Sequence, residues 1–151
     1  MKKINVLFVL FILLLIASCN RVDSSTDIYI YPNDIPPPYI STPEDIVDAH
    51  ADLKNQERFE DFLHNVQQGK EDSIRMVRYT TEGDPIVHEL EYDGEIIKST
   101  KDPRRDQYGQ GSIIHSACSL IEAVETNEST NYLLENCEPP IEDNNILVIE
   151  K

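Results

Sequence analysis

DSIRMVRYTTEGDPIVHELEYDGEIIKST, running from Asp72 to Thr100, is the stretch that decides the fold. It is rich in Ile, Val, Tyr and Thr, and two breaks divide it, Gly83-Asp84-Pro85 and Asp93-Gly94. Branched and aromatic side chains suit a pleated surface, so Ser73–Thr81, Ile86–Tyr92 and Glu95–Thr100 read as three strands. Asp93-Gly94 predicts a two-residue type I′ hairpin, because both central residues need positive φ. In that register Leu90 faces Ile97 and Glu89 faces Lys98, an apolar pair and an ion pair on opposite faces of the sheet.

Upstream the period becomes helical. Phe59, Phe62, Leu63 and Val66 recur at spacings of three and four, predicting a helix over Gln56–Gln68 with Asn55 as N-cap and Gly69 as a left-handed stop. Before it, Ser41-Thr42-Pro43-Glu44-Asp45 has the form of a helix start, with one or two turns through Ile46, Val47 and Ala49. Downstream, Lys101 to Gly111 is a polar loop, and Ile113–Glu125, Thr130–Cys137 and Ile146–Glu150 read as further strands. A turn centred on Asn127-Glu128 pairs residues whose numbers sum to 255, which sets Cys118 opposite Cys137 within disulfide range. The plain alternative is two free buried thiols. The face with Leu120 and Leu133 also carries Glu122, Glu135 and Asn131, which leaves room for a bulge or a one-residue slip. A helix followed by strands predicts an α+β domain, one main amphipathic helix packed on a five- to six-stranded antiparallel sheet.

The amino-terminal end supplies an address. Lys2 and Lys3 precede an apolar run from Ile4 to Ile16, interrupted by Asn5 alone, and Leu15-Ile16-Ala17-Ser18-Cys19 has the pattern of a lipobox. A helix over that run spans about 21 Å, short of the ~30 Å hydrocarbon core, so a processed export signal is the better reading. The expected organisation is a signal peptide over residues 1–18, a lipidated tether over 19–41 and a single domain over 42–151. Diacylglycerol on the Cys19 thiol, with palmitate or another acyl chain, would hold the protein on the extracytoplasmic face of the cell membrane, because two chains anchor stably where one does not. Pro32 and Pro36-Pro37-Pro38 stiffen the tether, and Asp27–Tyr31 alternates like a short docking strand. The full chain carries 13 basic and 28 acidic residues; removal of residues 1–18 leaves 11 basic ones and a net charge of −17. So acidic a surface repels nucleic acid and anionic lipid headgroups.

Asn55, Arg58-Phe59, Phe62, Asp72-Ser73-Ile74-Arg75, Tyr79 to Ile86 and Leu90 to Gly94 together resemble a small family of Gram-positive lipoproteins carrying domain of unknown function 4362. The resemblance implies the lipobox, the tether and the small α+β domain, with Cys118 and Cys137 at the family's cysteine positions. It implies no activity.

Candidate sites are sparse. The turn Glu82-Gly83-Asp84-Pro85 is the candidate binding loop, its two acids suited to a cation or a basic partner, and a sheet edge beside Thr80–Ile86 is expected to accept a strand by β-addition. His50, His64, His88 and His115 lack zinc spacing, and no metal or other cofactor is expected. Gly109-Gln110-Gly111-Ser112 fits neither a nucleophile elbow nor a phosphate loop. Arg104-Arg105 is the tight basic pair, suited to an anion or merely to solvating its loop. The expected role is a non-catalytic module binding an envelope protein or a peptide. The alternative is a small envelope hydrolase working through carboxylates brought together by the fold. Solute delivery to a transporter would ask for two lobes and a longer chain.

Overall fold

The computed structural model describes residues 36, 38–50, 52–109 and 111–151. The expected signal peptide, Cys19 and the expected strand at Asp27–Tyr31 lie outside the described residues. Among the described residues no helix is long and apolar enough to cross a membrane.

In chain order the elements are β1 (Ile46–Ala49), β2 (Asp52–Lys54), α1 (Gln56–Gln67), β3 (Asp72–Tyr79), β4 (Pro85–Tyr92), β5 (Ile97–Asp102), β6 (Ile114–Cys118), β7 (Leu120–Glu125), β8 (Ser129–Glu135) and β9 (Asn145–Glu150). Strands β2-β1-β3-β4-β5-β6 form one sheet and β7-β8-β9 a second. This corrects the α+β expectation of one helix on one antiparallel sheet. The described residues are mostly β, with nine strands in two sheets and one short helix among them. The larger sheet is mixed, because β1 pairs parallel to β3.

Two physical reasons separate the expectation from the outcome. First, Ile46 to Ala49 is a strand, not a helical turn: the Asp45 carboxylate, pinned by Arg75 of β3, fixes the chain so that Ile46 lies beside Met76. A contact across 30 residues overrides a local helix signal. Second, α1 has 12 residues, about 18 Å of helix, whereas six strands span roughly 24 Å across. The helix cannot cover such a sheet, and the second sheet completes the layer. It does so because the strand expected over Ile113–Glu125 breaks at Ser119, where the chain leaves one sheet for the other.

The disulfide sits at that break. β7 and β8 pair with Leu120 opposite Glu135 and Glu125 opposite Thr130, the register expected from the Asn127-Glu128 turn. Cys118 and Cys137 are joined, their α-carbons 4.0 Å apart, and beside them Ala117 and Glu138 exchange main-chain bonds of 3.0 and 2.8 Å. The β4–β5 hairpin departs from its expected register. Tyr92 pairs with Ile97, Leu90 with Ser99 and Glu91 with Lys98, around a four-residue turn. Asp93 Oδ1 accepts from the amides of Glu95 and Ile96, which favours the wider turn over the two-residue one. The slip is two residues, so every side chain keeps its face.

One core joins both sheets to the helix. Phe59, Phe62, Ile74, Met76, Leu90, Ile97, Leu134 and Leu147 are buried in it. Phe59 meets Tyr132 edge to face at 4.9 Å. Helix α1 ends as expected in a Schellman motif: Gly69 has φ 67°, and the amides of Lys70 and Gly69 donate to Asn65 O and Val66 O. Asn55 stands at the N-cap position, but its side chain caps nothing. Its amide donates instead to Pro43 O and Asp45 O, tying the helix start to the loop before β1.

Candidate binding face

Alternation along the strands of the larger sheet sends Ile74, Met76 and Leu90 to the core and Ser73, Arg75, Glu89 and Glu91 to the other face. The register lines these outward residues into rows across the sheet: Ser73, Glu91, Lys98 and Ala117 in one, Arg75, Glu89, Thr100 and His115 in the next. A third row, Val47, Val77, Val87 and Asp102, gives the face an apolar border.

Ser73, Glu91 and Lys98 of the first row and Arg75, Glu89 and Thr100 of the second floor an open groove of about 440 Å³, walled by Thr42, Glu44, Asp45 and Arg58. Its most tightly built element is the Asp45–Arg75 pair. Asp45 is 1% exposed and accepts from Arg75 Nε (2.8 Å) and Nη2 (2.9 Å), Thr42 N (2.9 Å), Thr42 Oγ1 (2.8 Å) and the Tyr39 hydroxyl (2.8 Å). Burial works to raise the Asp45 pKa, but these bonds, Arg75 foremost, outweigh it and hold the carboxyl well below the usual range. The hydrogen bonds to Asp45 raise that of Arg75 in turn. Both groups are fixed charges at any physiological pH. A second clamp stands at the groove wall, where Arg58 makes two bonds to the Asp72 carboxylate, at 3.0 and 2.6 Å.

Glu89 is different. It sits in the Arg75 row at the centre of the face, and its carboxylate takes part in no hydrogen bond or salt bridge among the described residues, feeling Arg75 only through charge. The groove lining holds Glu44, Asp45, Glu89 and Glu91 against Arg58, Arg75 and Lys98, a small acidic excess. Such a floor suits a polar ligand with a donor or cation for Glu89.

The residues singled out in the sequence are dispersed. Glu82–Pro85 forms the β3–β4 turn, with Gly83 at φ 91° and the Asp84 carboxylate accepting from Gln107 N at 3.1 Å. The sheet edge expected beside Thr80–Ile86 is not there, because β3 and β4 are interior strands and His50 Nε2 lies 3.0 Å from Thr80 O. Arg104 and Arg105 both bond Asp102, through Nε and Nη2 of the first and Nη1 of the second. Led by the Arg104 bond, they lower the Asp102 pKa to about 2. His64 lies on α1, and His115 Nδ1 is 3.1 Å from Thr100 Oγ1. His88 faces inward with Nε2 2.8 Å from Ser99 Oγ, beside a hollow of about 90 Å³ lined by Arg78, Lys101 and Asp143. Burial, then Lys101 and Arg78, push its pKa down to about 4. Sequence reasoning missed Asp45, Arg75 and Glu89. The available signal was the period-two polar run Ser73, Arg75 opposite Glu89, Glu91, which marks a charged sheet face.

A family model described as Domain of unknown function (DUF4362) matches residues 43–133, and the chain belongs to that family. The match covers α1, the whole larger sheet and β7, and so contains the groove floor. Neither the curated proteins nor the solved structures include a match to the chain.

Proposed function

We propose that this member of the DUF4362 family is an extracytoplasmic lipoprotein, anchored through Cys19, whose domain is a non-catalytic binding module with the outer-face groove as its ligand surface. The lipobox and the proline-rich tether support the address. The observation that carries the binding role is the groove itself, an open floor beside the fixed Asp45–Arg75 pair, with the Glu89 carboxylate unbonded at its centre. The ligand class is a neutral or basic peptide segment, offered by an envelope protein, whose donor or cation meets Glu89. The hydrolase alternative needs a carboxyl held protonated near neutrality. The strongly shifted carboxyl in this groove, Asp45, moves the opposite way.

Two measurements test the reading. Intact-mass analysis of membrane-extracted protein should show acylation at Cys19, and Cys19→Ala should release the chain to the soluble fraction; an unmodified, membrane-free wild type would refute the anchor. Binding to arrayed basic, neutral and acidic peptides should be confined to the first two classes and lost in Glu89→Lys. Retention unchanged by Glu89→Lys, or turnover of ester and peptide substrates, would refute the binding module.

A further inference from the structure

Residues 38–42 lie across this face as a strap. The Arg75 guanidinium carbon lies over the Tyr39 ring, 5.9 Å from its centroid, at cation–π distance, and the Tyr39 hydroxyl donates to Asp45 Oδ2. Arg75 Nη2 donates to Ile40 O at 3.2 Å, and Thr42 closes the strap on the Asp45 carboxylate. Beyond the strap is a second hollow of about 400 Å³, bounded by Pro38, Tyr39 and Ile40 and by Val87 and Ile113. Both hollows include Arg75, Glu89 and Thr100, so the strap is seated where they meet. The seat takes an aromatic ring, and the strap is held there by bonds to Asp45 and Arg75 while its Ile40 side chain stays in solvent. Ile40 is 75% exposed, and apart from the ring the strap is fastened by a few polar bonds and not by buried apolar side chains of its own.

We propose that this face is a receptor for an extended peptide segment presenting a tyrosine, and that the chain's own Tyr39 strap is the resident occupant such a partner must displace. The inference rests on the binding-module reading and names its ligand. Each element of the seat recognises one feature of that ligand. The Arg75 guanidinium, fixed by two bonds to Asp45, offers its charge to the face of a ring. Asp45 accepts the phenolic O–H, a bond that a phenylalanine cannot make. Arg75 Nη2 takes the next main-chain carbonyl, as it takes Ile40 O, and fixes the direction of the segment. Glu89 stands in the same row to receive a flanking donor. Because the strap is tethered, its effective concentration at the seat is on the order of millimolar, and a peptide in trans competes poorly until the strap is loosened.

The test uses the full chain in detergent and the peptide acetyl-Pro-Tyr-Ile-Ser-Thr-amide, which reproduces residues 38–42. Calorimetry should find the peptide bound about tenfold more tightly by Tyr39→Ala than by wild type, as strap competition requires. A Phe-for-Tyr peptide should bind Tyr39→Ala more weakly, and Arg75→Lys in that background, which keeps the charge beside Asp45, should weaken binding again. Equal affinity for wild type and Tyr39→Ala, or indifference to Arg75→Lys, would overturn the proposal. The chain has no tryptophan, so Tyr39→Trp supplies a single emitter in the seat. Its emission should shift to the red when Arg75→Lys is added, and an unshifted spectrum would overturn the strap as occupant. Loss of array binding in Glu89→Lys while the tyrosine peptide fails would sink this inference and leave the general binding role standing.

Discussion

His88→Gln should remove one identifiable part of the domain's acid sensitivity. The imidazole is packed on the inner face of β4, opposite Met76 and Lys101, with Ser99 Oγ at 2.8 Å and the charges of Arg78, Lys101 and Asp143 around it. Burial and the two cations lower its pKa from 6.5 to about 4, with Asp143 opposing. A folded value below the unfolded one means that the unfolded chain takes up the proton first. Stability is therefore unaffected above pH 6.5 and falls as the pH drops from 6.5 towards 4. A shift of that size corresponds to about 3 kcal/mol, with a steepest slope near 1.4 kcal/mol per pH unit. Glutamine can keep the bond to Ser99 and does not titrate. Urea unfolding of wild type and His88→Gln at intervals from pH 7.5 to 4 should give a stability difference that changes by about 3 kcal/mol in favour of the variant. Parallel profiles, differing by a constant across that range, would refute the reasoning.

Replacing both Cys118 and Cys137 by alanine removes the staple at the Ser119 break and should cost about 3 kcal/mol, read as a lower urea midpoint that reductant no longer changes. Phe59→Ala empties a fully buried site against Tyr132 and should cost 3–5 kcal/mol or so in the same assay. Asp45→Asn leaves Arg75, Tyr39 and Thr42 short of their shared acceptor and should cost roughly 3 kcal/mol at pH 7. Because the folded Asp45 pKa is depressed, the carboxylate stabilises the fold above its ordinary value of 3.8 and ceases to do so as the pH falls through the folded one; the penalty for the asparagine should accordingly shrink below about pH 4 in thermal melts.

Much of the secondary structure was legible in the chain because local chemistry set it. The helix over Gln56–Gln67, its Gly69 stop, the strands from Asp72 onward and the β7–β8 register that pairs Cys118 with Cys137 follow from side-chain period and turn residues. Family membership, too, is carried by residues 43–133 themselves. The site was less legible. Asp45 reads in sequence as an ordinary acid at a helix start, and Arg75 as an ordinary strand cation. Their roles exist because the parallel β1–β3 pairing sets one beside the other, 30 residues apart in the chain.

The sequence by itself determined most of the strands from Asp72 onward, the helix over Gln56–Gln67, which cysteines meet, and the polar alternation that would make one sheet face a charged surface. Tertiary structure alone decided that Ile46–Ala49 extends, that the long strand breaks at Ser119 into a second sheet, and that Tyr39, Asp45, Arg75 and Glu89 share a groove. The division has one cause. Period and turn chemistry act over a few residues, whereas strand order and charge pairing are settled by which distant segments bury their surface together, and no local pattern encodes that choice.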